Sequence, residues 1–296
     1  MQIMSQSLPK ITAKNVRSTT SIPNLYYLIS PESDSSSPQL PLIQEHWMPE
    51  NLNSNPDHIA EPHCLLQYDG FNIHLVNSPK QRIKTSTLIK RMYASRGYDI
   101  ESASVFSYNP NQFTFLASVG EIAAGTLTLG IDSDEGLLAD ELYHQEINNF
   151  RKEGRKVCEL SKLVIDPQYS SKCRSKEMIA LLFQIAYIYA HSICKATDFF
   201  CEVNPRHAEP QKRMFGFRKI GEVRTCPRVN APAVLLHLDL GFVKKQIDSL
   251  AGSHNKNTKD QSLYPYCISH WPDQRIENPG QHPPNQHLIS AFQARN

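Results

Sequence analysis

The stretch KVCELSKLVIDPQYSSKCRSKEMIALLFQIAYIYA, residues 156–190, decides the fold class. Its first part, Lys156 to Asp166, is short, rich in Val, Leu and Ile and closed by Pro167, which reads as a buried strand. From about Ser175 to Cys194 the apolar residues run too densely for one face and read as a helix buried all round, too short to cross a bilayer. DFFCEV, residues 198–203, is a strand again, so the unit is strand, crossover helix, strand.

Upstream of this unit, Phe113 to Val119 and Ile122 to Ile131 form a hairpin around Gly120. Ala139, Tyr143, Ile147 and Phe150 then describe one face of a helix ending at Gly154. Further upstream lie the strand FNIHLV (71–76) and a helix after Pro79 that carries Leu88, Ile89, Met92 and Tyr93. Downstream come a helix from Pro205 to Phe215 stopped by Gly216, a strand FRKIGE, and a last strand in which Val234, Leu236, Leu238 and Leu240 alternate with Leu235, His237 and Asp239. The order β, α, β, β, α, β, α, β, α, β, β predicts an α/β (α+β) fold, a mixed twisted sheet with helices on both faces. A doubly wound dinucleotide fold fits poorly, because no strand-to-helix turn carries a GxGxxG or GxxxxGK[ST] pattern.

The 296 residues hold 31 Lys plus Arg against 29 Asp plus Glu, a balance that argues against a dedicated nucleic-acid binder. The distribution is uneven. Residues 71–251 hold 24 basic and 19 acidic residues, whereas the flanks hold 7 basic and 10 acidic, together with 13 of the 20 Pro. The expected organisation is a low-complexity, mostly disordered arm over 1–70, one folded domain over 71–251, and a Pro/His-rich tail over 252–296. The first twenty residues lack an apolar run and do not read as a secretory signal, no segment reads as transmembrane, and the seven Cys include no CxxC pair and no zinc-type cluster with His. A reduced, cytoplasmic setting and no metal site are expected, with Cys158, Cys194 and Cys201 as plain core residues.

Four segments carry a resemblance: AGTLTL (124–129), EINNFRKEGRKVCELSKLVID (146–166), EVNPRH (202–207) and GFRKIGEVRTCPRVNAPAVLLHLDL (216–240). In order and spacing they resemble the FeeM-type N-acyl amino acid synthase family, a branch of the GNAT acyltransferase superfamily related to the acyl-homoserine-lactone synthases. The likeness covers roughly 70–250; NPRH and CPRVNAP are its most specific parts. It implies a GNAT fold, an acyl thioester donor, and an acceptor amine.

Moving an acyl group from a thioester to an amine needs a free amine, a polarised carbonyl, and a cleft holding both chains at near-attack distance. The resemblance implies that the donor's pantetheine arm runs along the strand at Leu163 and Val164 and that its phosphate meets the following helix start. There the sequence departs from CoA-binding relatives. No Gly is present, and Ser171, Lys172, Arg174, Ser175 and Lys176 stand instead. A single phosphate needs fewer converging amides than a diphosphate and can be met by side-chain cations, so the departure favours the phosphopantetheine of an acyl carrier protein over CoA. Three cations also oppose the helix dipole and call for a compensating partner. The plain alternative is a solvated surface.

Between Arg206 and Arg228 stand seven cations and two acids, a patch suited to an acidic carrier protein or to no partner at all. For the acceptor, Glu159 with Ser161 in ELSKL is the expected catalytic pair. Glu159 acts as base or as the group that orients the ammonium; the alternative is an ion pair with Lys162 or Arg206. Arg228 and Asn230 in the stiff CPRVNAP loop are expected to hold the acceptor carboxylate, with Asn204, Arg206 and His207 in support and Asn204 as a helix cap. The Tyr that protonates the leaving thiolate in many acetyltransferases of the superfamily falls here at Gln211. No permanently bound cofactor is expected; the acyl-phosphopantetheine is substrate, and the lipid product has affinity for membranes. A lactone synthase, a CoA-dependent acetyltransferase and a non-catalytic acyl-carrier or lipid-binding module stand as alternatives.

Overall fold

A computed structural model describes residues 64–95, 111–169, 172–228, 230–254 and 261–270. The expectations for residues 1–63 and 271–296 lie outside them.

The sheet starts earlier in the chain than expected. Strand β1 (Cys64–Tyr68) pairs antiparallel with β2 (Phe71–Leu75) across Asp69 and Gly70, both at positive φ, so the folded unit begins inside the stretch assigned to the arm. The Asp-Gly pair is a strong two-residue hairpin signal that the low-complexity reading passed over. Helix α1 (Pro79–Ala94) follows, opened by a capping box in which the Ser78 hydroxyl accepts from Gln81 N and the Gln81 side chain accepts from Ser78 N.

Strands β3 (Gln112–Val119) and β4 (Ile122–Ile131) form the expected hairpin. Next come α2 (Asp140–Lys152), β5 (Val157–Ile165), α3 (Lys172–Tyr187), β6 (Asp198–Val203), α4 (Ala208–Phe215), β7 (Arg218–Lys219), β8 (Arg224–Cys226), β9 (Ala231–Asp239) and α5 (Leu240–Leu250). The nine strands lie in the order β1-β2-β3-β4-β5-β6-β9-β7, with β8 also on β9. The pairings are antiparallel except that of β5 with β6.

Four elements differ from the sequence reading. The long apolar helix is α-helical only to Tyr187 and continues as a π-helical turn over Ile188–Ile193. The helix after β6 opens with a 3-10 turn, Pro205–His207. FRKIGE keeps only two residues as strand, and β8 follows it unforeseen. The alternation runs the last strand into the start of α5, because Asp239 fits its period; Asp239 is in fact the helix cap, its side chain accepting from Phe242 N at 2.8 Å.

Two faces result. Helices α3, α4 and α5 pack into one large core with Phe115, Leu127, Leu129, Leu160, Phe199 and Cys201. On the opposite face α2 packs through Tyr143 and Ile147 on Val157, Phe200 and Leu235, while α1 packs through Leu88, Ile89 and Met92 on Val164. The chain after α5 also belongs to the fold. A strap over 261–270 lays Leu263, Tyr264 and Cys267 into the large core, which corrects the reading of that part of the tail.

Candidate active site

Side chains alternate along a strand, so Glu159 and Ser161 share the face of Val157 and point to the α2 side. Glu202, two residues beyond Phe200, does so from β6. Strands β5 and β6 pair over Val157–Glu159 against Asp198–Phe200, and their ladder stops there. Beyond it, the β5 edge that carries Leu163 and Val164 stands open toward β6. A bulge falls at the same place. Thr126 pairs with Val164 and Thr128 with Ser161, so β5 holds two residues against one, and Lys162 takes up the turn in the left-handed region at φ 53°. Both Leu163 and Val164 are buried.

A cleft of about 160 Å³ lies beside this gap, floored by Glu159, Ser161 and Gln112 and roofed by residues 135–138. Arg151 fixes the roof at both ends. Its Nε donates to Asp132 and its two terminal nitrogens to Asp140, each at 2.6–2.7 Å. Next to Ser161 in the sheet, the Thr128 hydroxyl pairs with that of Thr114 at 3.0 Å.

Glu159 is 4 % exposed, and its Oε2 accepts from Ala139 N at 3.2 Å, at the start of α2. Burial first and the charge of Glu202 second push its carboxyl up to about 7, against the pull of the Ala139 amide, Arg228 and the Leu138 amide. Lys162 is lowered by burial and raised in part by Glu159. A group that titrates near neutrality at the bottom of a cleft suits proton transfer to or from an amine. The alternative pairing of Glu159 with Arg206 does not form: Arg206 is exposed, with its Nε 3.2 Å from His207 Nε2. Asn204 caps as expected, accepting from Arg206 N.

Arg228 bonds to Leu138 of the cleft wall and already holds other partners. One terminal nitrogen donates to both oxygens of Glu202 at 2.9 Å; the other donates to Leu138 O at 3.0 Å and to Glu141. Sequence reasoning missed Glu202 as a site residue. Its signal was present, because a carboxylate between Cys201 and Val203 in a wholly buried strand needs a cation to be tolerated. Asn230 is exposed, at φ 47°.

Two cations of the expected phosphate site make contacts within the fold. The Arg174 guanidinium lies against Gly70 in the β1–β2 turn, and Lys176 Nζ sits 5.8 Å from the centre of the Tyr266 ring on the strap. Ser175 is buried, Lys172 is described by its backbone alone, and Ser171 lies outside the described residues. Of the seven cations between 206 and 228, Arg224 binds Glu146 and Leu142 O and covers the Tyr143 ring, and Arg228 is paired as above; Arg206, Lys212, Arg213, Arg218 and Lys219 are exposed. Gln211, on the buried face of α4, has both carboxamide atoms buried with no hydrogen-bond partner among the described residues. Among the described residues no cluster of His, Cys, Asp and Glu can hold a metal, and no helix is long and apolar enough to cross a membrane.

Residues 84–239 match the family described as N-acyl amino acid synthase FeeM. Among solved structures, FeeM, an N-acyl amino acid synthase from uncultured soil microbes, is 27 % identical with a TM-score of 0.53 over 58 % of this chain and 90 % of that one. An acyl-CoA N-acyltransferase from Pseudomonas aeruginosa is 12 % identical with a TM-score of 0.39, over 56 % and 97 %. A spermidine N-acetyltransferase from Vibrio cholerae, in complex with CoA and spermine, is 9 % identical with a TM-score of 0.39, over 58 % and 96 %. A comparison with curated proteins returned no match.

Proposed function

The chain belongs to the FeeM-type N-acyl amino acid synthase family and is an acyltransferase, and from that premise we propose that it moves a medium or long fatty acyl chain from an acyl carrier protein thioester to the α-amine of an amino acid. The observation that carries this reading is a buried carboxylate titrating near neutrality, Glu159, set in a cleft beside the point where β5 and β6 part.

The donor arm lies along the open β5 edge at Leu163 and Val164, where unpaired backbone groups take the hydrogen bonds that a neighbouring strand would otherwise make. Its phosphate lies toward the start of α3, near Ser171, Lys172, Arg174, Ser175 and Lys176. The five exposed cations between Arg206 and Lys219 favour encounter with an acidic carrier. The acceptor enters the cleft as an ammonium. Glu159, directly or through water, takes its proton, and Ser161 beside it orients the amine. The amine lone pair attacks the thioester carbonyl, the C–N bond forms, and the C–S bond breaks with the electron pair leaving on sulfur; the new amide nitrogen gives up its second proton to that thiolate, directly or through water. Gln211 supplies no acid, but an ordinary thiol ionises at about 8.5, so the thiolate leaves with little help. A base of this kind contributes about 10² to 10⁴ in rate.

The test incubates purified protein with acyl carrier proteins loaded with several chain lengths, and separately with the matching acyl-CoAs, against a pool of amino acids, with products read by mass spectrometry. N-acyl amino acids from the carrier-linked donors, lost in Glu159→Gln and reduced in Arg228→Ala, are expected. Turnover from acyl-CoA alone overturns the donor assignment, and no product from any pairing overturns the reaction.

A further inference from the structure

We propose that Glu141 is an internal stand-in for the acceptor's carboxylate: it occupies one side of the Arg228 guanidinium and yields that side when an α-amino acid binds, while Glu202 keeps the other. The inference rests on the proposed function, in which the acceptor is an amino acid.

The two sides of Arg228 differ in kind. Glu202 is 1 % exposed on β6 and meets one nitrogen with both oxygens, so displacing it from Arg228 would strand its own buried charge. Glu141 is 46 % exposed on the first turn of α2 and reaches Arg228 through a surface contact. Exposed pairs are weak, because water and salt screen them and two long side chains must be held still. An incoming carboxylate therefore displaces Glu141 at low cost and leaves Glu202 in place.

The position fits the chemistry. Leu138 and Ala139 share one peptide unit, whose carbonyl accepts from Arg228 and whose N–H donates to Glu159. In a trans peptide these groups point to opposite sides, so the unit carries a guanidinium on one edge and a carboxylate on the other. An α-amino acid is the complementary zwitterion, its ammonium toward Glu159 and its carboxylate toward Arg228. Leu138 also lines the cleft, so the Arg228 nitrogen shared with Glu141 bonds directly to a residue of the cleft wall.

Calorimetry on the full chain tests this without turnover, using glycine with methylamine, L-leucine with 3-methylbutylamine, and L-phenylalanine with phenethylamine. Each pair shares an amine and differs by the carboxylate. In Glu141→Gln the preference for amino acid over amine is expected to rise about two- to fivefold, the range of an exposed ion pair. In Glu202→Gln it is expected to fall. An unchanged or reduced preference in Glu141→Gln overturns the inference, and so does absence of binding by every pair in both proteins. Acylated products with no change in preference remove the inference alone, whereas a raised preference without acylation removes the catalytic reading alone.

Discussion

Glu159 is ionised above neutrality against the preference of its own surroundings, and this has opposite consequences for stability and for catalysis. Its carboxyl titrates at about 7 in the fold against an ordinary value of 4.5, chiefly because it is buried. A group raised in this way binds more protons in the folded than in the unfolded chain between those two values, so its contribution is whole below pH 4.5 and is lost as pH rises through 7. The difference amounts to about 3 kcal/mol. Glu159→Gln keeps an oxygen for the Ala139 amide and removes the titration, so thermal melts should show the variant gaining on the wild type at about pH 8 and not at about pH 4. Equal differences at the two pH values would place the titration elsewhere. The rate has the reverse dependence, with kcat/KM falling below about pH 7 as the base is protonated. Glu159 and Ser161 were legible in ELSKL through the family resemblance, whose comparable strand carries a Glu followed two residues later by a Ser. The state of Arg228 was not, because its partners Glu141 and Glu202 lie 87 and 26 residues away and no local spacing brings them together.

Among the elements, α5 exposes what alternation hides. Leu236, Leu238 and Leu240 continue one apolar face, and nothing in that period marks the point where the chain leaves the sheet. Asp239 marks it, through two bonds made in the folded state: its side chain caps α5 at Phe242 N and takes a 2.8 Å bond from Arg155. Asp239→Ala should cost about 1–2 kcal/mol in a urea titration, as loss of a helix cap does. Asp239→Asn retains the cap, loses the charge, and should recover most of that loss. An Asn variant as weak as the Ala variant would assign the energy to Arg155 instead. The β5 bulge escaped for a related reason. Lys162 holds φ 53°, a conformation that no apolar pattern encodes, and the extra residue there turns the strand beside the cleft. The crossover order was readable from length and punctuation: the run that became α3 is too long and dense for a strand, and Pro167 closes the strand before it.

At the scale of the molecule, the strap over 261–270 closes the face formed by α3, α4 and α5. Its sequence, QSLYPYCISH, has an apolar run too short and too flanked by polar residues to stand out from its Pro/His-rich surroundings. Among its contacts, three anchor separate points. The Tyr264 ring meets Phe183, Phe215 and Phe242 edge-on, and its hydroxyl donates to Phe215 O at 2.7 Å. The buried Gln184 of α3 exchanges two hydrogen bonds with the Ile268 backbone, at 2.7 and 2.8 Å. Leu263 N donates to Met214 O at 2.9 Å. If the strap docks as one unit, losing either anchor frees the other. Tyr264→Ala should then cost about 3–5 kcal/mol and Gln184→Ala about 1–3 kcal/mol, and the double variant should cost less than both together. Simple additivity in denaturant melts would mean that the two ends dock independently. Because Lys176 on the first turn of α3 lies over Tyr266, undocking also withdraws a ring from the helix start expected to meet the donor's phosphate. The strap variants should therefore raise KM for the acyl donor more than for the acceptor, a split that destabilisation alone would not produce.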